Sequence, residues 1–304
     1  MRKLILKNHQ CPGDVLAMTA AVESLHLTYP SEYQTDCRTT AWEIWQHNPR
    51  VTSICSDDPD ATAITMEYPA IHRCNSEPMH MIEAFTEYLG QQIGKPLTTK
   101  INRPVVYLSD EERGWVNQVR DTFTGGREIP FWLVNAGSKS DFPAKQWPVE
   151  YYQEVVDQTH GLIQWVQVGA SEHYHPELRG VMSLVGKTDT RQLIRLAWHA
   201  SGGIGGITFL MHLMAAHKKP YVCLAGGREP VQWISYPQQH TLHTIGGLSC
   251  CQTSACWKSV IVPHENKSVC DKPVFGMTRP VARCLAMIQP REVITTLERI
   301  CASF

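Results

Sequence analysis

A chain of 304 residues is too long for one ordinary hydrophobic core and implies two domains of roughly 150 residues each. With 43% hydrophobic and 19% charged residues, a packed interior can form and long disorder is excluded. A formal net charge of -1 without a long basic run excludes electrostatic capture of nucleic acid or an anionic membrane and argues for a small or neutral partner.

In chain order, RKLILK reads as a buried strand that ends in Pro12-Gly13-Asp14 and leads into a helix over about 15–28. Tyr29-Pro30 stops that helix, because proline disfavours helix in the residue before it. Asp14 is then either the N-cap of this helix or a chemical group. YQTDCR predicts a second strand, TTAWEIWQHNP a helix closed by Asn48-Pro49, and VTSIC a third strand. Residues 56–71 read as loop. A helix follows in which Met81, Ile82, Phe85, Tyr88 and Leu89 form an apolar stripe, read as core packing. TGGREIP is a turn-rich linker, so the expected division is 1–125 and 126–304.

The second lobe repeats the rhythm. FWLVNAG is a strand, VEYYQEVVDQTHG a helix and LIQWVQVGA a strand; VMSLVG is a short strand and TDTRQLIRLAWHA a helix. A glycine-rich turn, SGGIGGIT, then precedes the helix FLMHLMAAHKK and the strand PYVCLAGG. Strands alternating with helices predict parallel sheets covered on both faces, with ligands at strand C-termini.

Two segments have the chemistry of an anion cradle. In GSKSDFPAKQWP, Ser138, Ser140 and Lys145 lie between a strand and a helix opened by Pro148. Backbone N–H groups and the positive end of a helix dipole add to such a site. An ordinary loop with a solvated lysine is the competing reading. In GGIGGITFLMHLMAA, Gly205, Gly206 and Thr208 precede a helix whose first turn points toward the same cleft. His212 lies one turn inside, where a core histidine is the alternative to a functional one. Asp58-Pro59-Asp60 has the spacing of a metal-holding acid pair but lies in a polar loop far from the cradles and is read as a turn.

Five of the eleven cysteines, Cys250, Cys251, Cys256, Cys270 and Cys284, fall within 35 residues. Four thiolates, Cys251, Cys256, Cys270 and Cys284 with Cys250 as the alternative, are a donor set for structural Zn or Fe. Disulfides or reduced buried thiols are the other readings. The apolar stretch at the N-terminus is too short for a signal peptide, so the cytoplasm is the expected compartment.

The strand followed by GDV and YP at 4–30, AKQWP at 144–148, ELRGVMSLVGKTDTRQLIRL at 177–196, MHLMAAHKKPYVCLAGG at 211–227 and CLAMIQPREVI at 284–294 resemble the family 9 glycosyltransferases, the heptosyltransferases. The resemblance implies a GT-B architecture of two Rossmann-like lobes, the first holding the acceptor and the second a nucleotide sugar. It implies inverting transfer without a catalytic metal, Asp14 as general base, Lys145 near the donor diphosphate, Glu172 near the donor ribose or sugar, and Thr208 in the loop that wraps the diphosphate. The cysteine-rich element, 250–284, resembles an iron-binding element of the autotransporter heptosyltransferases.

Where many relatives carry Asp-Ser-Gly, with the aspartate on the donor sugar, this chain reads Ile207-Thr208-Phe209. That departure leaves the donor open between heptose and another hexose, with an ADP-linked sugar favoured. It also raises the alternative of a degenerate nucleotide or sugar binder. The acceptor is a glycan, a lipid-linked sugar or a protein, with no role for nucleic acid, and a homo-oligomer is possible.

Overall fold

The structure, a computed structural model, describes residues 1–115, 117–139, 143–256, 270 and 272–303. The first lobe is built on three parallel strands, β1 (Arg2–Asn8), β2 (Tyr33–Thr39) and β3 (Ala61–Thr65), in the order β2-β1-β3. Central β1 buries Leu4, Ile5 and Leu6. Helix α1 (Pro12–Thr28) is buried over nearly its whole length from Gly13 to Leu25, with Ala17, Ala20 and Ala21 permitting close approach of its neighbours. Its partners are α2 (Met81–Ile93) and, from the second lobe, α7 (Phe209–Ala216). A helix enclosed on all sides needs no polar face.

Two expectations in this lobe fail. The segment expected as a second helix forms only a 3-10 turn, Trp42–Trp45. There the Trp45 indole N–H donates to Thr39 Oγ1 (3.1 Å) and Asn48 Oδ1 accepts the backbone N–H of Arg50 (2.9 Å). Such local side-chain bonds compete with helix. VTSIC makes one bridge, Val51 to Thr35, and the third strand lies instead at Ala61–Thr65, inside the stretch expected as loop. Of its five residues only Ile64 is buried, so it carries no periodic apolar signal.

The short helices α3 (Asp110–Gly114) and α4 (Gln118–Thr122) lead to the second lobe. This lobe is a six-stranded parallel sheet, β4 (Trp132–Asn135), β5 (Trp165–Gln167), β6 (Met182–Ser183), β7 (Gly202–Gly205), β8 (Tyr221–Gly226) and β9 (Gln239–His243), in the order β6-β5-β4-β7-β8-β9. Helices α5 (Val149–Thr159), α6 (Thr190–His199), α7 and α8 (Val231–Ile234) connect its strands. The chain closes with a short antiparallel pair, β10 (Pro273–Val274) and β11 (Val281–Ala282), then α9 (Arg283–Ala286) and α10 (Pro290–Cys301), which packs on α5.

The glycine-rich segment expected as a turn is the central strand β7. A Cβ at Gly202 would lie 2.6 Å from the Trp132 ring, and one at Gly205 would lie 2.7 Å from the Tyr221 hydroxyl. Side chains of the flanking strands fill the space above the sheet, and only glycine leaves room for them.

The lobes share one apolar cluster, running from Leu6, Val15 and Met18 to Leu210, Met211 and Met214. They are also pinned by Arg191 of α6. Its guanidinium donates to both carboxylate oxygens of Glu112 (2.7 and 2.5 Å), to Tyr107 O (2.7 Å) and to Glu43 O (3.1 Å).

Candidate active site

The helix expected to begin at Val15 with Asp14 as its cap begins instead at Pro12. Proline suits a first helical position because its φ is already helical and its missing N–H has no partner to lose. Cys11 is the N-cap and makes no side-chain capping bond, so Asp14 stands in the first turn, released from capping duty.

Burial pushes the Asp14 carboxyl up to about 6. Lys145 opposes this and Glu229 adds to it, while the Tyr68 hydroxyl and the Cys11 backbone favour the charged form. Tyr68 donates to Asp14 Oδ2 at 3.3 Å. A carboxylate with this value is largely ionised at neutral pH yet more basic than an ordinary aspartate, as general-base catalysis requires.

Lys145 ends a 3-10 turn, Pro143–Lys145, just beyond β4. Its ammonium lies 2.6 Å from Glu229 Oε1 and donates to Ile207 O at 3.4 Å. Glu229, in the segment after β8, was not foreseen as a site residue. Its one sequence signal is position, a buried acid beyond the C-terminal edge of a parallel strand. Asp14, Tyr68, Lys145 and Glu229 thus form one electrostatic cluster drawn from both lobes.

Gly13 brings the lobes together. A Cβ there would sit 3.0 Å from His212 Cδ2 and 3.8 Å from Phe209 Cα, so glycine lets the first turns of α1 and α7 meet. His212 is buried, and its Nδ1 shares a hydrogen bond with the Tyr236 hydroxyl (2.7 Å). Burial pushes its imidazole down to about 3, which keeps it neutral at the interface.

The remaining expected residues separate. Thr208 is the N-cap position of α7 and makes no side-chain capping bond. A Cβ at Gly206 would meet Lys145 O at 3.0 Å, so Gly205 and Gly206 are glycine for internal packing. Ser138 pairs its backbone with Tyr174 in an isolated bridge, and its hydroxyl donates to Lys139 O (3.3 Å). Ser140 lies outside the described residues. Glu172 is exposed in the loop after β5, 3.3 Å from Ser171 Oγ. Unforeseen at this edge is His175, whose ring fills the space a Cβ would take at Gly137 (2.4 Å) and Gly169 (2.5 Å). Burial holds it at about 4, hence neutral. Asp58 pairs with Lys3 at 2.6 Å, in keeping with a turn.

The five clustered cysteines come together around the end of β8. A Cβ at Gly227 would meet Cys251 Sγ at 2.7 Å and one at Gly226 would meet Cys284 Sγ at 3.1 Å, while the Cys256 N–H donates to Gly227 O (3.0 Å). Burial, then Cys284, raises the Cys256 thiol to about 12. Among the described residues no group of three or more potential ligands is arranged to hold a metal ion.

Two parallel α/β lobes of this topology have the GT-B architecture. The chain belongs to glycosyltransferase family 9 (heptosyltransferase), whose profile matches residues 64–256. Asp14 precedes the matched span. The chain is similar to a glycosyltransferase family 9 structure from Veillonella parvula, at 14% identity and TM-score 0.71, covering 100% of this chain and 98% of that one. It is similar to the E. coli ADP-heptose LPS heptosyltransferase II (14% identity, TM-score 0.65, 99% of both chains). It is also similar to the iron-containing dodecameric glycosyltransferase TibC of enterotoxigenic E. coli (16%, TM-score 0.66, 99% of this chain and 76% of that one). No match was found among curated protein sequences. Among the described residues no helix is long and apolar enough to cross a membrane.

Proposed function

We propose that the protein moves a heptose or hexose from an ADP-linked donor to an acceptor hydroxyl with inversion and without a catalytic metal. Residues 1–125 hold the acceptor, residues 126–304 hold the donor, and the reaction takes place in the cytoplasm. The carrying observation is the meeting of the first turns of α1 and α7 at Gly13 and His212, which puts the partly desolvated Asp14 carboxyl within electrostatic reach of Lys145 on the opposite lobe. Asp14 takes the proton as the acceptor oxygen attacks the anomeric carbon, a step typically worth ~10² to 10⁴ in rate. Charge meanwhile develops on the departing diphosphate, which Lys145 and the first-turn N–H groups of α7 stabilise from fixed positions. The ADP link is drawn from relatives whose structures were determined with ADP and with ADP-D-beta-D-heptose.

The test is transfer from ADP-heptose to a panel of glycan, lipid-linked and peptide acceptors, with the product anomer read by NMR and chelator present. Retention of configuration, or Asp14→Ala retaining full rate, overturns the reading. Donor binding without any Asp14-dependent turnover favours instead a degenerate sugar-nucleotide binder.

A second reading concerns the cysteines: Cys251, Cys256, Cys270 and Cys284 hold a structural Zn or Fe, with Cys250 as the alternative ligand. It is supported by the effect of neighbouring cysteines on the Cys250, Cys256 and Cys284 thiols and by the description of TibC as iron-containing. The arrangement of the described residues does not present a ready ligand set. Metal analysis of protein purified under reducing conditions decides it: about one ion per chain supports it and none removes it. Sedimentation on the same sample reports whether the chain assembles into a homo-oligomer.

A further inference from the structure

Resting on the assignment of Asp14 as base, we propose that Tyr68 is a positioning residue of the transfer reaction, its hydroxyl fixing the Asp14 carboxylate and favouring its ionised form. The hydroxyl donates to Asp14 Oδ2 at 3.3 Å from the segment that follows β3. This segment is held in a conformation it would not adopt alone. Tyr68 has φ +41° and Ala70 φ +54°, in the left-handed region that a Cβ disfavours. Such a backbone persists only where its surroundings over-determine it.

The restraints come from both sides. The Tyr68 backbone N–H donates to Gln10 Oε1 (3.0 Å), in the loop that leads into Asp14. Further along, Asn75 Nδ2 donates to Ala255 O (3.0 Å), and Gln232 Nε2 donates to Cys74 O (3.2 Å). The tyrosine is therefore anchored to the turn that carries the carboxylate and, through its own segment, to the second lobe.

The hydroxyl suits the role chemically. The residue as a whole is 41% exposed, but partial desolvation of its hydroxyl, then the Asp14 charge, holds the phenol above its usual range, so it remains a donor at neutral pH. Among the described residues the charged groups acting on Asp14 are Lys145 and Glu229, which act in opposite directions and pair with each other. The Cys11 backbone supports the anion, and the Cys11 thiol lies 3.6 Å from Lys139 Nζ. His212, against Gly13, is neutral, and Tyr236 behind it stays protonated. With the two opposed charges paired, Tyr68 is a neutral side-chain donor whose removal changes Asp14 without adding or deleting a charge.

Tyr68→Phe keeps the ring and removes only the hydroxyl. In full-length protein with ¹³C-labelled aspartate, the Asp14 carboxyl resonance is assigned from Asp14→Asn and titrated with and without the substitution. The midpoint is expected to rise by about half to one pH unit. The acid limb of ADP-heptose hydrolysis moves up with it, while ADP affinity by calorimetry is unchanged. Gln10→Ala, which loosens the Tyr68 backbone, gives a smaller shift in the same direction. Unshifted midpoints in both variants, with the fold intact by circular dichroism, overturn the proposal. A shifted midpoint without any Asp14-dependent hydrolysis leaves the Tyr68–Asp14 contact in place but overturns Asp14 as the base and with it the role of Tyr68 in the transfer, so the two failures are distinct.

Discussion

Replacing Asp14 by Asn should make the protein more stable at alkaline pH while disabling it. In the unfolded chain this carboxyl titrates near 3.8, and in the native protein at about 6. The native state therefore holds the proton more tightly. Its contribution to stability is complete below the unfolded value and is lost as pH rises through the folded one. Above both, the ionised native form is disfavoured by about 3 kcal/mol, at 1.36 kcal/mol per pH unit. Asparagine has nearly the same shape and cannot ionise. Urea unfolding should thus show Asp14→Asn more stable than wild type by about 3 kcal/mol at pH 8 and by only about 1 kcal/mol at pH 4.5. Turnover should fall by ~10² or more. A stability gain equal at the two pH values, or larger at the lower one, would refute the view that Asp14 is ionised at a desolvated site.

Glu229→Gln removes a charge that raises the Asp14 value and competes for Lys145, so the acid limb of the rate profile should move to lower pH and ADP should bind a few-fold tighter by calorimetry. Arg191→Ala leaves Glu112 without its buried cation and frees two carbonyls, and should cost about 3–5 kcal/mol in urea unfolding. Gly202→Ala places a methyl group 2.6 Å from the Trp132 ring and should cost about 1–3 kcal/mol, with a shift in tryptophan fluorescence.

The alternation of strands and helices, the GD pair after β1 and the lysine in AKQWP were legible in the sequence, because each depends on local periodicity or on short-range turn chemistry. The parallel α/β architecture follows from that rhythm, and so does the placement of Asp14 and Lys145 beyond strand ends. Strand β7 was not legible, since four residues reading Gly-Gly-Ile-Gly have the composition of a turn. They form a strand only because Trp132 and Tyr221, on neighbouring strands, occupy the space their side chains would need. Edge strand β3 was hidden for the opposite reason: with one buried residue, its identity comes from hydrogen bonds to β1.

The chemistry of Asp14 divides the same way. Sequence determined that an aspartate follows the first strand at the start of a helix. It could not distinguish a cap from a base, because that depends on burial, on a hydroxyl 54 residues away at Tyr68 and on charges 131 and 215 residues away at Lys145 and Glu229. Desolvation and Coulomb interaction act through space. Only the packing of α1 against α7, made possible by Gly13 against His212, brings Lys145 and Glu229 to the carboxylate.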